Sequence, residues 1–208
     1  MTDLLALTPD ELLTTTRAVR KRLDLDRPVP MEVVREALAV ALQAPSGSNS
    51  QTWHWIVLTD PAIKTRVAEL YRRSYVPYRE AKGAPATAAE QRLAASADYL
   101  SEVMAQVPVL VIGAIALGGA GLPEGNQAGV WGSVLPAAWS LALALRARGL
   151  GTAWTTLHLR YEREVAEALG LPPDVHQGVL LPVAYSKGTE FKPGPRVDLD
   201  ATLHVNGW

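Results

Sequence analysis

The 208-residue sequence contains no cysteine. Disulfides, thiol nucleophiles and Cys-ligated zinc or iron–sulfur centres are therefore excluded, and any redox chemistry has to come from a bound organic cofactor. Histidine is scarce. His54, His158, His176 and His204 show no metal-ligand spacing such as His-Glu-x-x-His, so they read as structural or exposed residues and no metal site is expected. The chain has no excess of charge of either sign: 20 basic residues face 21 acidic ones, which argues against nucleic acid or an acidic membrane as partner. The start, Met1-Thr2-Asp3-Leu4-Leu5, lacks a basic region followed by a long apolar stretch, so a cytoplasmic protein is expected. Phosphate-binding fingerprints are missing too. The glycines from Gly113 to Gly121 fit neither the P-loop nor Gly-x-Gly-x-x-Gly with a following helix and acid, which removes a Rossmann fold. Ser133 and Ser186 have no nucleophile-elbow surroundings, and hydrolysis loses its support.

What is present describes one domain over residues 1–208. Hydrophobic residues make up 48% and charged residues 20%, enough to bury a sizeable core in a chain of this length. Thr8-Pro9-Asp10-Glu11 has an N-cap, a first-turn proline and first-turn acids, and predicts a short helix to about Thr16. Val33, Val34, Ala37, Leu38, Ala41 and Leu42 repeat on one face of a helix over Met31–Gln43. Trp53–Leu58 reads as a strand. Pro61 opens a helix to about Tyr71, and Pro77, Gly83 and Pro85 then make Tyr71 to Ala88 read as a mobile flap over a site. A helix from about Ala86 to Ala105, a strand over Val107–Leu117, a strand over Gly151–Thr156, a helix over Glu162–Leu169 ended by Gly170, and a strand over Val179–Tyr185 follow. Val130 to Leu145 is apolar nearly all round, hence buried on every side. It is too short to span a bilayer and Pro136 interrupts it, so it needs a thick core or a second subunit. The tail from Ser186 to Trp208 is too irregular to pack alone.

The most informative stretch is Ala44-Pro45-Ser46-Gly47-Ser48-Asn49-Ser50-Gln51-Thr52-Trp53, a polar connector between a periodic helix and an apolar strand. Small residues there let backbone donors come close to a planar polar ligand, and Ser46, Asn49 and Gln51 add side-chain hydrogen bonds. Such a connector suits a cofactor better than acid–base chemistry. A second cluster, Arg17, Arg20, Lys21 and Arg22, is joined far along the chain by Lys192 and Arg196. Guanidinium groups from two distant segments meeting on one phosphate monoester would clamp it by bidentate bonds.

Thr16-Arg17-Ala18-Val19-Arg20, the Pro45–Trp53 loop, Gly149-Leu150-Gly151-Thr152-Ala153-Trp154-Thr155-Thr156 and Phe191-Lys192-Pro193-Gly194-Pro195-Arg196 together, in this order, resemble the FMN-dependent nitroreductase family. The resemblance implies an α+β fold with a central mixed, mostly antiparallel sheet flanked by helices, and a C-terminal arm (about 186–208) exchanged within a homodimer. It implies tight, non-covalent FMN, held by Arg17, Ala18, Val19, Arg20 and Arg196 at the phosphate. Pro45, Ser46, Gly47, Asn49 and Gln51 would serve the ring edge or ribityl hydroxyls, and Trp154, Thr155 and Thr156 the ring. NAD(P)H is the implied co-substrate and a nitroaromatic, quinone or other electron-poor small molecule the acceptor, in a ping-pong cycle with no obligatory catalytic side chain because the flavin carries the chemistry. Two alternatives share the motifs: dehydrogenation of a biosynthetic intermediate with dioxygen as oxidant, and a flavin-binding module without turnover. Three residues depart from the pattern. Ala18 stands where Ser is common, Thr52 replaces the Pro before Trp53, and Arg22 replaces an aromatic.

Overall fold

A computed structural model describes residues 3–208. Its elements are α1 (Pro9–Thr15), α2 (Met31–Ala41), β1 (Trp53–Leu58), α3 (Pro61–Ala81), α4 (Ala88–Val103), β2 (Val109–Ala116), α5 (Ala128–Ala147), β3 (Leu150–Thr152), α6 (Glu162–Leu169) and β4 (Val175–Tyr185), with short 3-10 turns at Gly47–Asn49, Met104–Gln106 and Leu157–Tyr161. The strands order as β1-β2-β4-β3. All three pairings are antiparallel, and the parallel component is one bridge between Ala18 and Thr152.

Alternation along β2 and β4 sets the layering. Val109, Val111, Val179, Leu181 and Val183 point to the face covered by α2 and α5, while Leu110, Ile112 and Leu180 point to the face covered by α3, α4 and α6. Both central strands are thus buried on both faces, and their near-continuous apolar sequence follows.

Two helices differ from the sequence expectation. The segment expected to be an irregular flap, Tyr71 to Ala88, is helical as far as Ala81 with Pro77 inside α3. Val67, Leu70, Tyr71, Ser74 and Tyr75 hold the buried side of that helix down, and Pro77 lies on the exposed side, so the hydrogen bond it removes is lost outside the core. Only the six residues from Lys82 to Thr87 are left to join α3 to α4. α5 runs for 20 residues through Pro136, so it is long and apolar enough to cross a membrane by length and composition, contrary to the shorter span read from sequence. It packs instead on α2 and the sheet, with Val134, Ala137, Ala138, Leu141 and Leu145 fully covered.

The strand expected over Gly151–Thr156 ends at Thr152. Opposite Ala153, in the register that pairs Thr152 with Val183 and Thr155 with Leu180, stands Pro182, which has no N–H to donate. The ladder opens there, Trp154 turns outward to 37% exposure, and the pairing resumes only at Thr155.

Gly151 is required by contact: a Cβ there would lie 2.7 Å from Val19 Cβ. Gly151→Ala is therefore expected to lower unfolding free energy by roughly 1–3 kcal/mol through overpacking, measurable by urea denaturation.

Candidate functional site

The basic segment after α1 is laid along β3. Val19 N–H donates to the Thr152 carbonyl at 2.8 Å, and Val19 is buried against Gly151, which leaves Arg17 and Ala18 exposed. The C-terminal arm returns to the same place. A Cβ built on Gly194 would lie 2.7 Å from both Arg17 Nη2 and Arg196 Nη1, so the two guanidiniums converge on one point from positions 179 residues apart. Neither has an acidic partner among the described residues; Arg196 Nη1 donates only to the Pro195 carbonyl, at 2.9 Å. Two forks with no acidic partner among the described residues, converging on one point, are a donor set for a dianionic oxyanion such as a phosphate monoester, and the residues present fit that group.

Arg20 has a different setting. It lines a cavity of about 540 Å³ between α3 and α4, with Tyr75, Tyr78, Arg79, Lys82 and Leu93. The residues expected to form a flap thus line the cavity, but as helix ends and a tight connection. Tyr75 Oη donates to Asp98 Oδ1 at 2.5 Å, and Arg79 Nε lies 3.4 Å from the same carboxylate oxygen. Burial, and then that hydrogen bond, hold the Tyr75 hydroxyl well above its ordinary range. Burial likewise pushes Tyr71 up to about 12, against the opposing charge of Arg20. Neither phenol is a proton donor of ordinary strength. A cavity of about 550 Å³ beside α6, lined by Glu162, Ala166, Pro172 and His176 among others, contains none of the residues expected to hold the cofactor.

Trp154 and Thr156 are exposed beside the opened ladder, whereas Thr155 is buried and donates through both N–H and Oγ1 to the Leu180 carbonyl, at 3.0 and 3.1 Å. The Thr155 hydroxyl is therefore used inside the fold. Behind this segment lies His158, fully buried, with no hydrogen-bond partner for either ring nitrogen among the described residues.

The Pro45–Gln51 loop is elsewhere. Gly47 N–H donates to Ser133 Oγ at 3.0 Å, which pins the loop to the first half of α5. Ser48, Asn49 and Gln51 all have positive φ, at 52°, 54° and 50°, a costly conformation for three non-glycine residues in four positions. Gln51 Nε2 donates to Asn49 Oδ1 at 2.9 Å, and Gln51 N–H to Ser46 Oγ at 3.3 Å. The Asn49 amide and the Gln51 carbonyl oxygen stay available at an exposed surface. Within one chain the structure does not bring this loop to Arg17. Thr152 aligns through Val183 with Val109, and Thr52 with Ala116 at the far end of β2, a separation of roughly 23 Å along the strands and 14 Å across three strand spacings.

Sequence reasoning passed over Ser133, dismissed for want of a nucleophile pattern. Its signal was a hydroxyl among apolar neighbours on α5. Lys82 and the Tyr75–Asp98–Arg79 group were missed as well, because their meeting depends on the path from α3 to α4.

The family model described as the nitroreductase family matches residues 13–185. The chain belongs to the nitroreductase family. That membership makes it an FMN-dependent oxidoreductase by class. It is 29% identical to iodotyrosine deiodinase 1 of Rattus norvegicus over 197 residues, 93% of this chain and 67% of the relative. Over 66 residues, 30% of this chain and 28% of the relative, it is 44% identical to chloronitrobenzene nitroreductase of Comamonas testosteroni. Among solved structures it is similar to oxidized iodotyrosine deiodinase bound to FMN and 3-iodo-L-tyrosine, with a TM-score of 0.70 and 25% identity over 91% of this chain and 95% of that one. The fold is shared with the FMN and NADPH-dependent nitroreductase NfnB of sphigopyxis sp. strain HMH, with a TM-score of 0.70 and 21% identity over 97% of this chain and 100% of that one.

His158 gives the protein a pH dependence. Burial lowers its pKa to about 4, from about 6.5 in the unfolded chain. Between those values the unfolded state binds the proton and the folded state does not. Stability is therefore complete above pH 6.5 and falls by up to about 3 kcal/mol as the pH drops toward 4. Urea midpoints measured from pH 7.5 to 4.5 should fall accordingly, with a smaller slope in His158→Leu.

Proposed function

We propose that the protein binds FMN tightly and without a covalent bond, takes electrons from NAD(P)H, and passes them to an electron-poor small molecule such as a nitroaromatic or quinone in a ping-pong scheme. The observation that carries the reading is the convergence of Arg17 and Arg196 beside Gly194, both free of acidic partners among the described residues, in a chain of this family. These two guanidiniums would hold the FMN phosphate. Ala18 leaves only a backbone donor where a serine hydroxyl is common. Arg20 lines the α3–α4 cavity and would serve the ring end of the cofactor. Bound FMN supplies the hydride chemistry, and the protein contributes binding, orientation and exclusion of water. Trp154 and Thr156, exposed at the opened ladder, would face the ring, and Tyr75, Tyr78 and Lys82 would bound the space for donor and acceptor.

The Pro45–Gln51 loop completes this site from the second subunit of a homodimer. Its distance from Arg17 within one chain supports this, since one mononucleotide does not reach both. So do the outward Gly132, Pro136 and Trp139 of α5, spaced along one helix face, and the tail, where Val197, Leu199, Leu203, Val205 and Trp208 are all exposed and Trp208 stacks on His204, at 4.4 Å. A cytoplasmic location and the absence of nucleic-acid or membrane partners belong to the same reading.

A second reading, reductive removal of halogen from an aromatic acceptor, is favoured by the similarity to rat iodotyrosine deiodinase 1 over 93% of this chain, against 30% for the Comamonas enzyme. Anaerobic reduction by NADH or NADPH, followed by separate addition of nitrobenzoate, menadione and 3-iodotyrosine, distinguishes the two. Reoxidation by the first pair supports the proposal, and reoxidation by iodotyrosine alone supports the second reading. Failure of both nicotinamides to reduce the flavin would leave an oxidase or storage role.

Arg17→Ala and Arg196→Ala should each weaken FMN binding by about tenfold or more, since each removes a charge-assisted bond worth roughly 1.5–3 kcal/mol. Fluorescence quenching of FMN measures this, and unchanged affinity in both variants rejects the clamp. Light scattering should give twice the 22.4 kDa chain mass, with FMN released as dimers dissociate on dilution.

A further inference from the structure

The first part of the C-terminal arm is fixed by two arginines outside the expected cofactor set, Arg22 and Arg146. Arg22 donates through Nε to the Lys187 carbonyl at 2.8 Å and through Nη1 to the Glu190 carbonyl at 3.2 Å, and Lys187 N–H returns a bond to the Arg22 carbonyl at 2.7 Å. Arg146, in the last turn of α5, donates through Nη2 to the Thr189 carbonyl at 2.7 Å. Both guanidiniums also lie over the Phe191 ring, Arg22 at 4.3 Å and Arg146 at 4.9 Å from its centroid. The chain makes its approach through Gly188 at φ 79°, where a Cβ would lie 2.7 Å from Arg22 Nη2.

Arg146 is anomalous as a core residue. It is 4% exposed, it has no carboxylate partner among the described residues, and its Nε has no hydrogen-bond partner. The α5 C-terminus, the Thr189 carbonyl and the Phe191 ring offset part of its desolvation. An apolar side chain of similar length would fill the same space without that cost, so packing alone gives no reason for a guanidinium here. What the guanidinium does that an apolar chain cannot is grip the arm by a main-chain carbonyl. Three residues beyond Phe191 the arm reaches Gly194, where Arg17 and Arg196 meet.

We infer that Arg22 and Arg146, acting through Phe191 and the carbonyls of residues 187–190, are positioning residues that latch the C-terminal arm so that Arg196 reaches Arg17. The inference rests on the proposed phosphate site. Neither arginine touches the ligand. Each sets the path of the segment that delivers one half of the clamp, and the effect on cofactor binding runs through Arg196.

The test compares FMN with riboflavin, which has no phosphate, by fluorescence quenching of wild type, Arg196→Ala, Arg146→Met, Phe191→Leu and the double variant Arg146→Met/Arg196→Ala. Arg146→Met and Phe191→Leu are expected to weaken FMN binding by about fivefold to tenfold and riboflavin binding by less than about twofold. In the Arg196→Ala background, Arg146→Met should add less than about twofold, because the residue it positions is gone. Additive losses, or equal weakening of FMN and riboflavin, overturn the latch and leave the phosphate site standing. An Arg196→Ala protein with undiminished FMN affinity overturns the phosphate site and the latch with it. Phe191→Leu keeps the question answerable should Arg146→Met fail to fold.

Discussion

Two central strands with no polar face constrain everything else. β2 pairs with β4 along its whole length and both bury side chains on both sides, so helices have to cover each face before the sheet can exist in water. α5 is the larger consequence. It is apolar enough to lie against the sheet along most of its length, and the loops and edges arranged around it then become the places where polar chemistry can occur. The Pro45–Gln51 loop leans on its first half through Ser133, and the basic segment lies on the short strand that follows its second half.

The edges of the sheet are where the chain departs from regularity, and each departure has a local cause. Pro182 removes one ladder bond and pushes Trp154 outward. Gly151 allows the Val19 segment to press against β3. Three left-handed residues in the Ser46–Gln51 loop are held by Ser46, Ser133 and the Asn49–Gln51 pair. Residues that carry the resemblance to the family sit at these irregular points, while the regular interior supplies the rigid frame.

Much of this was legible in the sequence. The periodicity of α2, the capped start of α1, the strand at β1 and the apolar α5 are local patterns, and the helices and strands appear where those patterns put them. The failures are equally local in origin. Pro77 and Pro136 were read as interruptions because a proline inside a helix lacks a donor, but tertiary burial of Leu70, Tyr75, Ala137 and Leu141 outweighs one missing bond. Pro182 acted at a distance, through a strand partner that no single-segment reading identifies. The meeting of Arg17 with Arg196 was anticipated from the family resemblance alone, since no pattern within either segment encodes it. The roles of Arg22 and Arg146 were not anticipated, because an arginine gripping carbonyl oxygens has no sequence signature.

The convergence at Gly194 also orders events during synthesis. Arg17 leaves the ribosome early, and Arg196 follows 179 residues later, on the order of 10 to 35 s at ordinary elongation rates. A ligand that needs both guanidiniums has no binding place on the growing chain, however complete the sheet already is. A cofactor held by both guanidiniums would therefore not act as a nucleus for folding and would be taken up only by a subunit whose architecture is already built, so that loading would become a checkpoint on the fold.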